Sequence, residues 1–194
     1  MIIYATKQTV ERYKIKLVHQ FMDETSRTAA MKIVSDVQGD RLLEWGAKLF
    51  YFEGRKCLQV VNFESKFTLF LIDIKVSDVD YLGDMMAHYM LALYEGDSDM
   101  QTALKKMFAS SPYVCYEKLT DRSAISTLNK TQLDFLDDGY RIYDYIEDGV
   151  IQTVAMNKRM NFKWLLTLKV EGKTKYIYPA EMFRELVMQR FGQS

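Results

Sequence analysis

Residues 42–74 have the pattern of a β-hairpin followed by a third strand, and this segment constrains the fold more than any other. Two stretches in which large apolar residues alternate, 48–52 and 56–62, flank a tight turn at Glu53-Gly54-Arg55. The glycine supplies the positive φ that such a turn requires. A third apolar stretch, 67–74, follows closely. The pattern therefore predicts a hairpin whose strands continue into a larger sheet.

Both faces of this hairpin are apolar. Because successive side chains of a strand point to opposite faces, Phe50 and Phe52 share one face with Cys57, while Leu49 and Leu58 share the other. A strand that is apolar on both faces is typical of a sheet covered on both sides. We therefore expect the hairpin to lie inside the protein, with other elements packed against each face.

Apolar periodicity and capping residues predict the remaining elements. Thr6 and Asp23 stand where helix N-caps are expected, and Pro179 favours the start of a helix. We predict one α+β domain spanning 1–194, with a mixed or antiparallel sheet built around the central hairpin and packed with several helices. Outside the hairpin segment, the predicted strands are 1–5, 113–119, 164–170 and 174–178. The predicted helices with defined bounds are 7–13, 24–37, 79–94 (capped by Asp78), 99–109 and 179–191. A further helix starts at Asp121 or Ser123 and runs towards Gly139, with 140–146 as a candidate continuation.

Charge and cysteine content limit the classes of function. Lys and Arg number 26, Asp and Glu also number 26, and the formal net charge is zero. This balance argues against a protein whose main task is to grip a phosphate backbone. Cys57 and Cys115 are too few for a disulfide framework, and no stretch approaches the roughly 18 apolar residues of a membrane span. With no signal-peptide pattern either, we expect a cytoplasmic protein with no membrane contact.

The sequence lacks the patterns of familiar catalytic and cofactor sites. His19, His88 and the cysteines do not have the spacing of metal ligands. No glycine-rich phosphate loop, dinucleotide-binding motif or GxSxG elbow occurs. The basic neighbours Arg55 and Lys56 could lower a thiol pKa, but free cysteines are usually buried, and we predict that Cys57 is structural. We expect no metal and no cofactor, and the balance is against an enzyme.

Polar residues near the hairpin are candidates for a ligand or partner site. Two of them follow the turn, and a third ends the second strand. Others lie in a polar stripe of the helix that begins near Asp121, because residues three apart share one helical face. The candidate binding residues are Arg55, Lys56, Asn62, Arg122, Ser123 and Asn129.

A nucleic-acid partner is conceivable on the same sheet. Lys48, Arg55, Lys56 and Lys66 near aromatic rings have the composition of a surface on which bases stack. The zero net charge and the two apolar faces of the hairpin weigh against this interpretation, so nucleic acid is not the favoured partner.

Several short motifs are spread along most of the chain, each occurring once: an Ala-Thr-Lys step, a WxAxLF element, an Arg-Lys-Cys-Leu step, an asparagine followed by Thr-Leu-Phe, and an Arg-Ser…Asn block. In these motifs the chain resembles an uncharacterised domain family of small bacterial proteins. The resemblance implies no known activity, cofactor or catalytic residue. The motifs are Ala5-Thr6-Lys7, Trp45–Phe50, Arg55–Leu58, Asn62, Thr68–Phe70, Arg122-Ser123 and Asn129.

These observations favour a non-catalytic binding or regulatory protein that contacts another protein. The chain has 13 Tyr and 11 Phe, and aromatic side chains anchor many protein interfaces. One alternative is a small enzyme or ligand-binding domain with a polar pocket around Arg55, Asn62 and Arg122. Another is a mobile-element anti-defence protein, such as an anti-CRISPR inhibitor of a nuclease–RNA complex, which the small size and the lack of housekeeping motifs permit.

Overall fold

A mixed five-stranded sheet forms the centre of the computed structural model, which describes residues 1–137, 139, 141–170 and 173–192. Its strands are β1 (Ile2–Ala5), β2 (Glu44–Phe52), β3 (Arg55–Asn62), β4 (Thr68–Ile72) and β5 (Cys115–Lys118). The order is β4-β3-β2-β1-β5. β1 runs parallel to β2 and β5, whereas β2, β3 and β4 form an antiparallel meander. The predicted α+β class and the interior position of the hairpin are confirmed.

Helices pack against this sheet, and two small hairpins stand apart from it. Short 3₁₀ helices occupy Val18–Gln20, Val76–Tyr81 and Ile142–Tyr145. The small hairpins pair β6 (Ile146–Glu147) with β7 (Val150–Ile151), and β8 (Leu166–Val170) with β9 (Lys173–Ile177). The α-helices are α1 (Lys7–Tyr13), α2 (Glu24–Val37), α3 (Leu82–Leu93), α4 (Ser98–Ser110), α5 (Arg122–Asp137), α6 (Thr153–Phe162) and α7 (Pro179–Phe191).

Local capping explains why α1 and α2 begin at the predicted residues. The Thr6 hydroxyl accepts a hydrogen bond from the Thr9 backbone N–H at 3.4 Å, and the Asp23 carboxylate accepts one from the Ser26 N–H at 2.7 Å. Each bond satisfies a donor that a helix start leaves without an intrahelical partner. α1 then ends at Lys14, which adopts the left-handed conformation with φ of 53°.

The first face of the sheet carries the larger core. Trp45, Leu58 and Leu69 point to this face and are fully buried. Helices α3, α4 and α7 cover them, and the Phe183 ring of α7 packs edge-on against Trp45 with ring centroids 5.9 Å apart. Burial of an aromatic or aliphatic side chain of this size contributes about 1.5–3 kcal/mol relative to exposure. This layer therefore supplies most of the hydrophobic stabilisation.

The second face is covered by α6 and by the 3₁₀ helix Ile142–Tyr145. Phe50, Cys57 and Phe70 point to this face, and Met156 of α6 is fully buried against them. Phe50 stands directly opposite Cys57 in the strand register, as the alternation predicts. The prediction that both faces of the hairpin are covered is confirmed.

Helix α5 covers the second face near the start of β2, where Gly46 permits a close approach. A Cβ on Gly46 would lie 3.0 Å from Cε1 of Phe63 and 3.2 Å from Cδ1 of Leu128. Both side chains would have to move if Gly46 were any other residue. The small residue thus allows α5 to pack directly on the sheet.

The structure corrects several predicted boundaries. β2 begins at Glu44, four residues earlier than predicted. The Asp78 carboxylate caps the 3₁₀ helix Val76–Tyr81, since it accepts from the Lys75 N–H at 2.7 Å, and α3 starts only afterwards. After Gly139 the chain forms a 3₁₀ helix, the β6–β7 hairpin and α6 instead of a continued α5, while Asp138 and Tyr140 lie outside the described residues.

Two asparagines of α6 close the outer edge of β4. The Asn161 amide accepts from the Thr68 N–H at 2.8 Å and donates to the Thr68 carbonyl at 2.7 Å. Asn157 makes the same pair of bonds with Phe70, at 2.7 and 3.0 Å. Both asparagines are fully buried. Side chains thus replace the neighbouring strand that an edge strand lacks, which also blocks edge-to-edge association.

We expect Asn157→Ala and Asn161→Ala each to lower the free energy of unfolding by about 1–3 kcal/mol, because each leaves a buried N–H and carbonyl without partners. Urea denaturation measures the loss. Lys158→Ala, an exposed position on the same helix, is the control and should change stability by less than about 0.5 kcal/mol. Equal effects of the three substitutions would contradict the edge role of the amides.

Candidate functional site

The structure places the predicted hairpin residues at opposite ends of β3. Arg55 begins the strand and forms an exposed ion pair with Asp73, and the half-buried Lys56 follows it. Asn62 ends the strand, seven residues later, which is about 23 Å at 3.3 Å per residue. A single pocket cannot hold Arg55 and Asn62 together.

Asn62 organises the turn between β3 and β4. Its side-chain NH₂ donates to the Leu42 carbonyl at 2.8 Å. Its side-chain oxygen accepts from the Ser65 N–H at 3.0 Å and from the Ser65 hydroxyl at 2.9 Å. Asn62 is fully buried, and these bonds account for both halves of its amide. Its role in this structure is therefore local and architectural.

The other three predicted residues lie on α5. Arg122 is exposed at the first position of this helix, and Ser123 follows it, with a side chain outside the described part of the chain. Asn129 is exposed two turns later and accepts a hydrogen bond from the Lys48 ammonium at 2.7 Å. The polar stripe predicted on this helix therefore contacts the sheet through at least one of its members.

We define the polar centre as Lys48, Gln59, Asn129 and Gln132. The Lys48 ammonium donates to the Asn129 oxygen and, at 2.5 Å, to the Gln132 oxygen. Burial lowers the pKa of Lys48 below its usual value. Gln59 stands directly opposite Lys48 in the register and is fully buried, and neither atom of its amide has a hydrogen-bond partner among the described residues. A buried amide without partners costs folding free energy.

A second polar network surrounds the buried carboxylate of Glu44, a residue that no sequence pattern marked. The carboxylate accepts from the Tyr4 hydroxyl at 2.9 Å and from the Gly39 N–H at 3.1 Å. Arg41 lies 3.8 Å from Glu44 and 3.5 Å from Asp121 at the start of α5. Burial and the bond to Glu44 raise the pKa of Tyr4. The network joins β1, β2 and α5, and we interpret it as structural.

The cysteines do not have the surroundings of nucleophiles. Burial raises the pKa of the Cys57 thiol to about 12 and also raises that of Cys115. Both are buried and free, so both are protonated at neutral pH. No cluster of three or more potential metal-ligating side chains occurs within the described residues.

A concave surface lies elsewhere on the described part of the chain, and we define it as the tyrosine groove. It has a volume of about 510 Å³, within the usual range of binding pockets. Three segments far apart in sequence form it: 13–21 from the end of α1 to Phe21, 76–84 around the start of α3, and 112–116 before and within β5. Tyr81 and Tyr113 line it and are 65% and 67% exposed, respectively.

Specific contacts join two segments of the groove, 76–84 and 112–116. The Tyr116 hydroxyl of β5 donates to the Val79 carbonyl at 2.8 Å. A Cβ on Gly83 would lie 2.8 Å from Cγ2 of Val114, so the glycine lets α3 begin against the strand segment. Tyr13 is buried, its hydroxyl has no hydrogen-bond partner among the described residues, and burial raises its pKa to about 12. Two segments of the groove are thus fixed to each other, and the buried Tyr13 anchors the third in the main core.

Exposed side chains of opposite charge stand at the rim of the groove. Lys14 and Lys16 are exposed on one segment, and Asp80 and Asp84 are exposed on another. No salt bridge involves any of these four side chains within the part of the chain that the structure describes. Their charges are therefore available to a partner that enters the groove.

The sequence could not have located this groove. None of its residues belongs to the motifs of the predicted site, and only the abundance of tyrosine pointed to exposed aromatic rings. The structure also contains no helix long and apolar enough to cross a membrane among the residues it describes.

The fold and site define an α+β domain with a two-sided sheet and an aromatic surface groove. Residues 2–182 match a family described as a domain of unknown function, DUF6933, and the chain belongs to this family. Membership in an uncharacterised family, which the motifs predicted, is confirmed. No curated protein matches the chain.

Gln59 and Asn62 offer a matched comparison, because both are fully buried amides of β3. We expect Gln59→Met to raise the free energy of unfolding by about 1–2 kcal/mol, since an apolar side chain replaces an amide without partners. Asn62→Leu should lower it by more than about 2 kcal/mol, since Ser65 and Leu42 lose their bonds. Urea unfolding distinguishes the two. A loss of stability in Gln59→Met would show that the Gln59 amide is satisfied.

The buried thiols give a separate prediction. Ellman's reagent at pH 8 should react with neither Cys57 nor Cys115 in the folded protein, because both thiols are buried and the raised pKa keeps Cys57 protonated. Both should react once the chain is unfolded in urea, which is the internal control. Rapid reaction of one thiol under native conditions would contradict the burial of that cysteine.

Proposed function

We propose that this protein is a non-catalytic binding protein whose partner is another protein, bound in the tyrosine groove. The observation that carries the proposal is the pair of exposed rings, Tyr81 and Tyr113, at a preformed groove. Tyrosine is among the residues enriched at binding hot spots, because a rigid ring offers a large contact area and a polar tip.

The exposure of the two rings favours a protein over a small ligand. A pocket for a small molecule encloses most of its ligand, whereas Tyr81 and Tyr113 are about two-thirds exposed. Rings in this position suit a partner that covers both the groove and its surroundings. The charged side chains at the rim of the groove add selectivity. A partner segment with a basic side chain near Asp80 or Asp84 and an acidic one near Lys14 or Lys16 is electrostatically complementary to them.

The choice of the groove over the hairpin residues follows from geometry. Arg55 is already paired with Asp73, and Asn62 is buried among its own hydrogen-bond partners. Within the polar centre, Lys48 already donates hydrogen bonds to two side chains of α5, Asn129 and Gln132. The tyrosine groove combines volume, exposed aromatic rings and unpaired charge in one place, and these are the properties that a partner needs.

Site-specific photo-crosslinking tests the proposal. A photoreactive phenylalanine at position 113 should form a discrete covalent adduct with one protein in lysate of the source cells, identified by mass spectrometry. The same substitution at Tyr143, which is 76% exposed and does not line the groove, is the matched control and should not form this adduct.

The second arm of the test uses alanine. Tyr81→Ala should suppress the adduct formed from position 113, and should weaken the affinity for the purified partner at least about 10-fold, as expected for an interface anchor. Isothermal titration calorimetry measures the affinity, and circular dichroism confirms that the variant is folded. Identical adduct patterns from positions 113 and 143, or no adduct from either, would contradict the proposal.

A further inference from the structure

A second groove runs between the β8–β9 hairpin and helix α7, and we define it as the edge groove. It has a volume of about 420 Å³ and shares no described lining residue with the tyrosine groove. One wall consists of residues 175–178, and the other of residues of α7 between 181 and 189. Tyr178 alone connects the walls, because β9 ends at Ile177 and α7 begins at Pro179. So short a connection keeps the end of the strand next to the start of the helix.

The edge groove follows the free edge of β9. Lys175, Tyr176 and Ile177 of the strand all line it, and so does Tyr178. Successive side chains of a strand point to opposite faces, so a groove that reaches all of these residues lies along the edge of the strand and not on one face. β8 occupies the other edge, and β9 has no second neighbour among the described strands. The free edge of β9 therefore faces the groove.

Backbone groups on this edge have no partner in the described part of the chain. An antiparallel strand directs the N–H and C=O groups of alternate residues to one neighbour and those of the intervening residues to the other side. Residues 174–177 make no hydrogen bond through their backbone except those to β8, counted over the described residues. The edge of β4, by contrast, is closed by Asn157 and Asn161. An edge strand with unpaired donors and acceptors can add a further strand.

Apolar side chains give the edge groove a surface that a partner can cover. Met182 and Leu186 lie one turn apart on α7, and both are half-buried. Leu165, which precedes β8, is 46% exposed, and the Tyr176 ring is 65% exposed. These four side chains line one groove, so apolar residues of a single segment can bury all of them together.

The helix wall also carries negative charge. Glu181 and Glu185 are exposed, and neither forms a salt bridge within the part of the chain that the structure describes. Lys175 is the one basic side chain among the described lining residues, and it stands on the opposite wall, on β9. Basic residues of a partner are therefore attracted to the α7 wall and repelled from the β9 wall.

The dimensions of the edge groove suit an extended segment. Residues 175–178 extend over about 10 Å as a strand, and residues 181–189 extend over about 12 Å as a helix. Glu181 and Glu185 are separated by a rise of about 6 Å, while alternate residues of a strand, which share one face, are about 6.6–6.8 Å apart. Two basic residues separated by one residue in an extended segment thus match the two carboxylates.

We propose that the edge groove binds an extended segment of a partner protein, which pairs with the free edge of β9 as an added strand. The segment contains two basic residues separated by one residue, which contact Glu181 and Glu185, and apolar residues that cover Leu165 and Met182. Addition of a strand to an exposed sheet edge is an established mode of peptide recognition, in which the backbone supplies affinity and the side chains supply specificity. The proposal is separate from the tyrosine groove, because no described lining residue is shared.

Selection from a peptide library tests the chemistry of the partner. Random dodecapeptides displayed on phage are selected on the immobilised full-length protein. The enriched peptides should contain two basic residues separated by one residue, next to apolar residues. If no peptide is enriched over a selection on the blank support, or if the enriched peptides lack this pattern, the proposal is wrong.

Matched variants of the protein locate the bound peptide, and fluorescence anisotropy measures its affinity. Glu181→Gln with Glu185→Gln should weaken binding about 3- to 30-fold, as expected for the loss of two exposed ion pairs, and added KCl should weaken binding to the wild type. The control pair Asp36→Asn with Glu147→Gln removes two exposed carboxylates that do not line the groove and should leave the affinity unchanged. Equal losses in both pairs would overturn the assignment to the edge groove.

Methylation of the peptide backbone tests strand addition itself. The selected peptide is synthesised with a methyl group on one backbone nitrogen at a time. An added strand donates to β9 only through alternate residues, so methylation of those nitrogens should lower the affinity at least about 5-fold, and methylation of the intervening ones should have little effect. A uniform loss, or no loss at any position, would show that the peptide does not pair with β9.

Hydrogen exchange measured by NMR distinguishes this proposal from the proposed function. Saturation with the peptide should slow the exchange of those β9 amides that do not bond to β8, and leave the amides of residues 113–116 in the tyrosine groove unchanged. Protection at 113–116 instead of β9 would place the peptide in the tyrosine groove, which would overturn the edge-groove proposal and leave the proposed function intact.

Analytical ultracentrifugation tests a different occupant, a second copy of this chain. The wild-type protein should be a monomer at the concentrations used in the titrations. A dimer that the selected peptide dissociates would show that the β9 edges of two copies pair with each other, and the proposal of a partner segment would be wrong.

Discussion

Burial of both faces of β2 and β3 is the constraint on which the rest of the structure depends. The first face carries Trp45 and Leu58 and requires α3, α4 and α7, and the second carries Phe50 and requires α6. Since both faces of this hairpin are largely covered, its buried polar residues need partners in the layers packed on it. Lys48 does so with side chains of α5, whereas the Gln59 amide beside it has none among the described residues.

The same constraint extends to the edge of the sheet. A strand covered on both faces still presents backbone groups sideways, and β4 ends the sheet on one side. Asn157 and Asn161 meet this need with four hydrogen bonds to Thr68 and Phe70. Their spacing of four residues places both amides on one face of α6, one turn apart, and the outward-facing residues of β4 are two apart. The rise of one helical turn is close to that of two strand residues, so the helix can replace a strand.

These features explain what the sequence could and could not predict. The boundaries of α1 and α2 followed from Thr6 and Asp23, because a capping bond depends on local spacing alone. The hairpin followed from alternation, which is also local. Helix α6 was missed because buried asparagines stand where an apolar stripe is expected, and their partners lie about 90 residues earlier in the chain. The predicted site residues were polar for local reasons, as Asn62 shows, whereas the tyrosine groove joins three distant segments that only the folded chain brings together.

The tyrosine groove lies outside the hairpin that determines the fold. The sheet supplies stability through buried contacts, and a partner cannot reach the edge of β4 without displacing α6. The rings and unpaired charges of the tyrosine groove lie instead beside the sheet, at the end of α1, around the start of α3 and before β5. Such segments can change sequence without exposing the core, because their substitution alters the surface that a partner meets and not the packing of β2 and β3. A rigid two-sided sheet that holds surface segments whose residues can change independently of the core is compatible with the binding role proposed above.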